Sequence, residues 1–265
     1  LKRQKNWLGG GVNEKFFDSR KDVRSGSNLK MFAQDEINAI HNATLQVLSD
    51  VGMAVYHDEA LDILEAGGAE VNRANNVVKF PPYLVEECIN SAPGRILFAG
   101  RNSENDYILE GRRIGFTNGG CAVMVNDSQT GKLRESTKAD VASIAKMCDA
   151  LENVDICSGA VVARDVPESA ADLHEAEAFL TNTTKHCHHI NLVNAREFIE
   201  MGAVIAGGME QLKKRPIISA LVCSVSPLQL HTEKTDIIIE FAKAGIPVNI
   251  LSMAMAGASA PITLA

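Results

Sequence analysis

The chain has 265 residues, 46% of them hydrophobic, and carries 26 Lys and Arg against 33 Asp and Glu, for a net charge of −7. This composition is globular, with apolar material for one large domain or two ordinary ones, and it excludes a disordered chain. The acidic balance, with no sustained basic run beyond the first thirty residues, argues against a nucleic-acid groove, and no apolar run approaches membrane-spanning length.

A small-molecule partner is therefore favoured over nucleic acid or a membrane. The opening LKRQKNWLGGG is basic but lacks the apolar core of a signal peptide, so the chain reads as cytoplasmic. Its six cysteines, Cys88, Cys121, Cys148, Cys157, Cys187 and Cys223, form no CxxC pair and read as small buried hydrophobes of a reducing compartment.

Residues 1–30 mix charge, Gly and Ser without periodicity and read as a loose arm that Trp7, Phe16 and Phe17 could pin to a surface. Residues 31–113 read as an α+β extension. Ile37, Ile40, Thr44, Val47 and Val51 lie on one helical face, and Gly52 supplies the stop. Asp58 reads as the cap of a second helix ending at Gly67 and Gly68, and Pro82 starts a third through Leu84 and Ile89. The turn at residues 73–76 separates two short strands. Residues 96–99, 114–117 and 122–126 read as strands, with a turn at 127–131 leading to another strand near Leu133. Thr137 with Asp140 three residues on resembles a capping box, followed by Val141, Ile144, Ala145 and Cys148 at helical spacing.

From there the chain becomes regular. Apolar strand-like segments centred near positions 157, 188, 218 and 248 recur at intervals of 31, 30 and 30 residues, each gap holding one helical pattern. The helices run through Leu173, Ala176 and Leu180, from Asn194 through Phe198 and Ile205 to Gly207, and from Thr232 through Phe241 to Gly245. Repeated βα units of this length imply parallel strands, and no GxGxxG or GxxxxGK[ST] follows any of them. The expected fold is α/β, a (β/α)8 TIM-type barrel over residues 114–265, present only in part with about five strands. The last strand, at 248–253, follows a Gly-Ile-Pro turn and reads as covered on both faces.

A barrel places chemistry at the carboxyl ends of its strands. That rule selects Asn118, Gly119 and Gly120, then Arg164 and Asp165, His189 and Asn191, Ser224 and Ser226, and finally Met253 and Met255. Arg164, His188, His189, Asn191 and Ser226 are expected to converge on one pocket, with His189 and Asn191 sharing a strand face. Arg164 and Asp165 also have a plainer reading as loop ion pairs. Lys185, His186, Cys187, His188 and His189 run consecutively. His186 and His188 share a face and form a candidate metal pair for a barrel hydrolase, although serines and methionines follow the next strands. Met253 and Met255 read as core packing rather than as ligands of a soft group.

These residues resemble the trimethylamine:corrinoid methyltransferase family. The resemblance runs through DEINAIH at 35–41, AKMCD at 145–149, ARD at 163–165, TKHCHH at 184–189, SVSPL at 224–228 and IPVNILSMAMAG at 246–257. It is most specific in that last run, together with SAP at 259–261 and TLA at 263–265. It implies a (β/α)8 barrel that binds a methylated amine and passes a methyl group to the Co(I) of a separate corrinoid protein. No cofactor is then bound tightly by this chain, since the partner carries the corrinoid. A methyl transfer of this kind is mainly positioning, because the cofactor supplies the reactivity, so no acid/base pair is demanded. In family members acting on trimethylamine, TLA is followed by pyrrolysine from an in-frame amber codon, whereas relatives without it demethylate quaternary amines such as glycine betaine. With no initial Met and only about five strands, the chain reads as an open fragment whose frame continues past Ala265. A homo-oligomer is expected.

Overall fold

The helical period that begins at Asp35 becomes α1 (Gln34–Asp50) in the computed structural model, which describes residues 31–262. The proposed arm at 1–30 and the TLA at 263–265 lie outside the described residues. Gly52 ends α1 as expected. Its φ of +80° is in the left-handed region, its amide donates to Val47 O, and an added Cβ would stand 2.4 Å from Val78 O, so only glycine fits. The turn hands the chain to β1 (Met53–Val55), then α2 (Asp58–Ala66), β2 (Glu70–Asn72), β3 (Val77–Lys79) and α3 (Pro82–Ser91). His57 caps α2, its Nδ1 accepting from Ala60 N, and Asp58 sits in the first turn instead of at the cap.

A hairpin of β4 (Arg95–Phe98) and β5 (Tyr107–Glu110) follows, and then a second hairpin of β6 (Met124–Asn126) and β7 (Leu133–Glu135) around the Asp127 turn. The strand expected at 114–117 is reduced to a single parallel bridge, Thr117 with Ile156. Its backbone is held by Asp155, whose carboxylate accepts from Phe116 N and whose amide donates to Phe116 O.

The repeating part forms as its spacing implies: α4 (Lys138–Ala150), β8 (Ile156–Ser158), α5 (Ala171–Asn182), β9 (His186–His189), α6 (Ala195–Ala206), α7 (Met209–Lys214), β10 (Ile218–Ser224), β11 (Gln229–Leu230), α8 (Thr232–Ala244) and β12 (Val248–Ser252). Thr137 and Asp140 make the capping box of α4, and Gly207 and Gly245 close α6 and α8 with positive φ. Asn194 does not cap α6 with its side chain. The carboxylate of Asp172 on α5 fastens the approach to that helix instead, accepting from the amides of Val193 and Asn194.

Four strands form one sheet in the order β8-β9-β10-β12, all parallel, with Thr117 extending it beyond β8. Cys187, His189, Ile218, Ala220 and Val222 share a face by alternation, and that face meets the helices in one core with Phe179 of α5, Phe198 of α6 and Phe241 of α8. Each of these buried aromatics contributes about 1.5–3 kcal/mol of burial. The protein is thus mixed α/β, with a parallel sheet and its helices.

The opposite face is closed at its amino end by the first hairpin. Ala99 N donates to Pro216 O, Asn102 N to Thr184 O, and Arg215 holds Asp106 through two 2.8 Å bonds. The extension sheet has the order β11-β1-β3-β2, so it takes a strand from the loop after β10. That pairing gives the β1 edge its bonds, with Ala54 N donating to Leu228 O and Tyr56 N to Leu230 O.

β12 corrects one expectation. Among the described residues it pairs with β10 alone and is covered on neither face over most of its length, with Ile250 57% and Leu251 41% exposed. Met253 and Met255, expected in the core, are each 67% exposed.

Candidate functional site

Alternation along β9 decides which histidines can meet. His189 faces the helices, where its ring packs edge-on against Phe179 and Phe198 and its Nε2 donates to Asp172 O. It is 1% exposed, and among the described residues its Nδ1 has no partner. The expectation that His189 joins His188 in one pocket is therefore corrected, because odd and even residues of a strand point to opposite faces.

His186 and His188 lie on the face away from the helices. His186 is sealed at the amino end by the hairpin, with Phe98 edge-on at 4.9 Å between ring centroids and its Nδ1 3.1 Å from both Ala99 O and Pro216 O. Its Nε2 is 2.7 Å from Ser219 Oγ, which is also 2.7 Å from His188 Nδ1. Burial pushes the pKa of His186 down to about 3 and that of His188 down to about 4, so both rings are neutral near pH 7. Both nitrogens of His186 are engaged, which leaves none for the metal pair suggested by its spacing with His188. Among the described residues no group of three or more His, Cys, Asp or Glu side chains is arranged to hold a metal ion.

On the neighbouring strand, Ser158 is paired with His188 in register and is held by Asn118 and Thr117. Asn118 Nδ2 donates to Ser158 O, Ser158 N donates to Asn118 Oδ1, and Ser158 Oγ donates to Asn118 O. Toward the carboxyl end the same face opens through half-buried Leu221 and Cys223 to exposed Asn249 and Leu251.

Asn191 lies exposed past β9 and near Cys121, a surface cysteine whose thiol pKa is raised chiefly by partial desolvation, with Glu175, Cys223 and Lys234 near enough to act on it. The loop after Thr117 thus approaches the loop after β9. Glu175 is 3% exposed and accepts from Ala163 N at 2.9 Å; burial, reinforced by Asp172, raises its pKa to about 7.

Arg164 and Ser226 go elsewhere. Arg164 is exposed and pairs with Glu135 of the second hairpin at 3.3 Å, while Asp165 accepts from Lys138 N at the start of α4. The plain loop reading describes both. Ser226 belongs to the loop that carries β11 into the extension sheet, where Val225 and Gln229 exchange backbone bonds. Ser158 and Ser219 escaped sequence reasoning. The signal for Ser219 is a hydroxyl inside an otherwise apolar stretch of β10, on the face that the histidine spacing had marked, whereas Ser158 only closes β8.

The sequence profile of the trimethylamine methyltransferase (MTTB) family matches residues 9–265. A trimethylamine methyltransferase of Desulfitobacterium hafniense is 44% identical over 243 residues, covering 91% of this chain and 49% of that protein. One from Methanosarcina barkeri is 42% identical over 250 residues, covering 91% and 50%. A glycine betaine methyltransferase of Desulfitobacterium hafniense is more distant, at 26% over 239 residues, covering 89% and 49%. The chain spans about half the length of the curated relatives it matches. The profile match extends across the sheet, its helices and the extension, and the chain belongs to the trimethylamine methyltransferase family.

Proposed function

We propose that the protein takes part in methyl transfer from trimethylamine to the Co(I) of a separate corrinoid protein, with the carboxyl ends of the parallel strands as the reaction site. The observation that carries this reading is the family match together with a neutral, polar strand face, Thr117, Asn118, Ser158 and His188, that opens at that end. We also read the sheet as part of a (β/α)8 barrel. Strands that neighbour one another in chain order, with helices packed on one face, support single winding, whereas a doubly wound sheet reverses its order.

The corrinoid, when brought by its own protein, supplies the nucleophile. The open end fits a group that arrives from outside. Among the described residues, none beyond its chain neighbours comes within 4 Å of the place a Cβ would take at Gly119, and Met253 stands exposed at the end of β12, so these residues border the approach. What this chain contributes is position. His188 and Asn191 orient the amine, the hairpin beneath His186 closes the far end to water, and no proton need move for the methyl to leave.

The test is an assay with purified protein, trimethylamine and reduced corrinoid protein, with glycine betaine as comparator. Dimethylamine should appear in step with loss of the Co(I) spectrum. Demethylation without the corrinoid protein, or with glycine betaine alone, refutes the reading.

A further inference from the structure

The two histidines and the serine between them form a chain whose direction follows from atom types. The carbonyl oxygens of Ala99 and Pro216 can only accept, so His186 Nδ1, 3.1 Å from both, carries its ring proton. In a neutral imidazole the other nitrogen is then bare, so His186 Nε2 accepts the hydroxyl proton of Ser219. With its proton committed, Ser219 Oγ accepts from His188 Nδ1–H at 2.7 Å. His188 Nε2 is left with a lone pair. Among the described residues no group bonds to that atom and it is not fully buried, so within the 9% exposure of His188 it faces the side that opens toward the strand ends. Ser158 on the other flank is engaged by Asn118 and Thr117.

We infer that His186 and Ser219 are positioning residues that hold His188 in the Nδ1–H tautomer, and that the lone pair on His188 Nε2 accepts the N–H of a protonated methylamine. The second half rests on the proposed methyl transfer; the first stands without it. A tertiary amine protonated in neutral water carries one N–H, and a neutral imidazole lone pair is its complement. A quaternary ammonium ion has no N–H and leaves that acceptor unpaired when it displaces water. A site built around one hydrogen bond discriminates most strongly against the analogue that lacks it. The histidine chain thereby becomes a specificity element that separates N–H amines from quaternary ones.

Nitrogen-15 NMR of protein labelled at its seven histidines tests both halves. In the unaltered protein both His186 and His188 should show a protonated Nδ1 and a bare Nε2; a ring with its proton on Nε2, or averaging between tautomers, overturns the first half without any variant. In Ser219→Ala, His188 should lose its single tautomer while Ser219→Thr restores it, and a His188 that keeps Nδ1–H in the alanine variant removes the positioning role. Titration with trimethylammonium chloride should shift His188 Nε2, tetramethylammonium chloride should not, and Ser219→Ala should weaken trimethylammonium binding about tenfold or more. Equal responses to both salts, or none, overturn the amine-acceptor role. Methyl transfer in the corrinoid assay would then show that the proposed function stands without it.

Discussion

Replacing Lys185 with Met should unfold the protein more readily, and the structure indicates by how much. Lys185 precedes β9 and is 3% exposed, with Nζ 2.7 Å from Cys148 O and 2.6 Å from Leu151 O at the carboxyl end of α4. An ammonium on the last carbonyls of a helix satisfies orphan acceptors and complements the helix dipole. Charge-assisted bonds of this kind are worth about 1.5–3 kcal/mol each. Methionine keeps much of the stem volume and relieves the burial of the charge, but leaves both carbonyls without this donor. It also strips a cation from the neighbourhood of Asp149, which accepts from Thr183 Oγ1 and from Thr184 N and Oγ1. The net cost expected is about 3 kcal/mol, or a fall in Tm of about 6–12 °C for a chain of this size. Urea unfolding followed by circular dichroism measures it, with Lys185→Arg as the control that keeps the charge. A Met variant with the midpoint of the unaltered protein would refute the claim that this lysine fastens β9 to α4.

Two further outcomes follow from buried groups. The Glu175 carboxyl has its pKa raised to about 7 in the fold against 4.5 ordinarily, so its contribution is fully present below pH 4.5 and is lost as pH rises through about 7. Glu175→Gln, which keeps the acceptor for Ala163 N, should accordingly gain stability relative to the unaltered protein between pH 5 and pH 8 by up to about 3 kcal/mol; a pH-independent difference in urea midpoint would contradict the raised pKa. His189→Ala removes a ring packed between Phe179 and Phe198 and the bond to Asp172 O, so it should cost about 2–4 kcal/mol. Any loss of methyl transfer in it should track the unfolded fraction, and a fully folded but inactive variant would return His189 to the pocket.

Local chemistry was legible in the sequence wherever one residue type has one physical use. The Gly52 stop, the Thr137 and Asp140 cap, the Asp127 turn and the thirty-residue βα rhythm all appear at the expected positions, because backbone sterics and hydrogen-bond inventory act within a few residues. Alternation also put His186 and His188 on one face, although His189 was expected to join His188 in a pocket that the same alternation forbids. The sequence could not show what lies beyond a strand. That the β4–β5 hairpin supplies Ala99 O beneath His186 depends on residues 87 positions apart, and Ser219 joins the two rings from a strand 31 and 33 positions away. Arg164 looked like a pocket residue until the second hairpin brought Glu135 to it. Likewise, the apolar run of β12 read as buried on both faces, yet burial belongs to neighbours, and among the described residues only β10 pairs with it. Sequence determined which elements form and which side chains share a face; tertiary structure decided what each face meets, because contact between distant segments is set by packing and is not encoded in any local pattern.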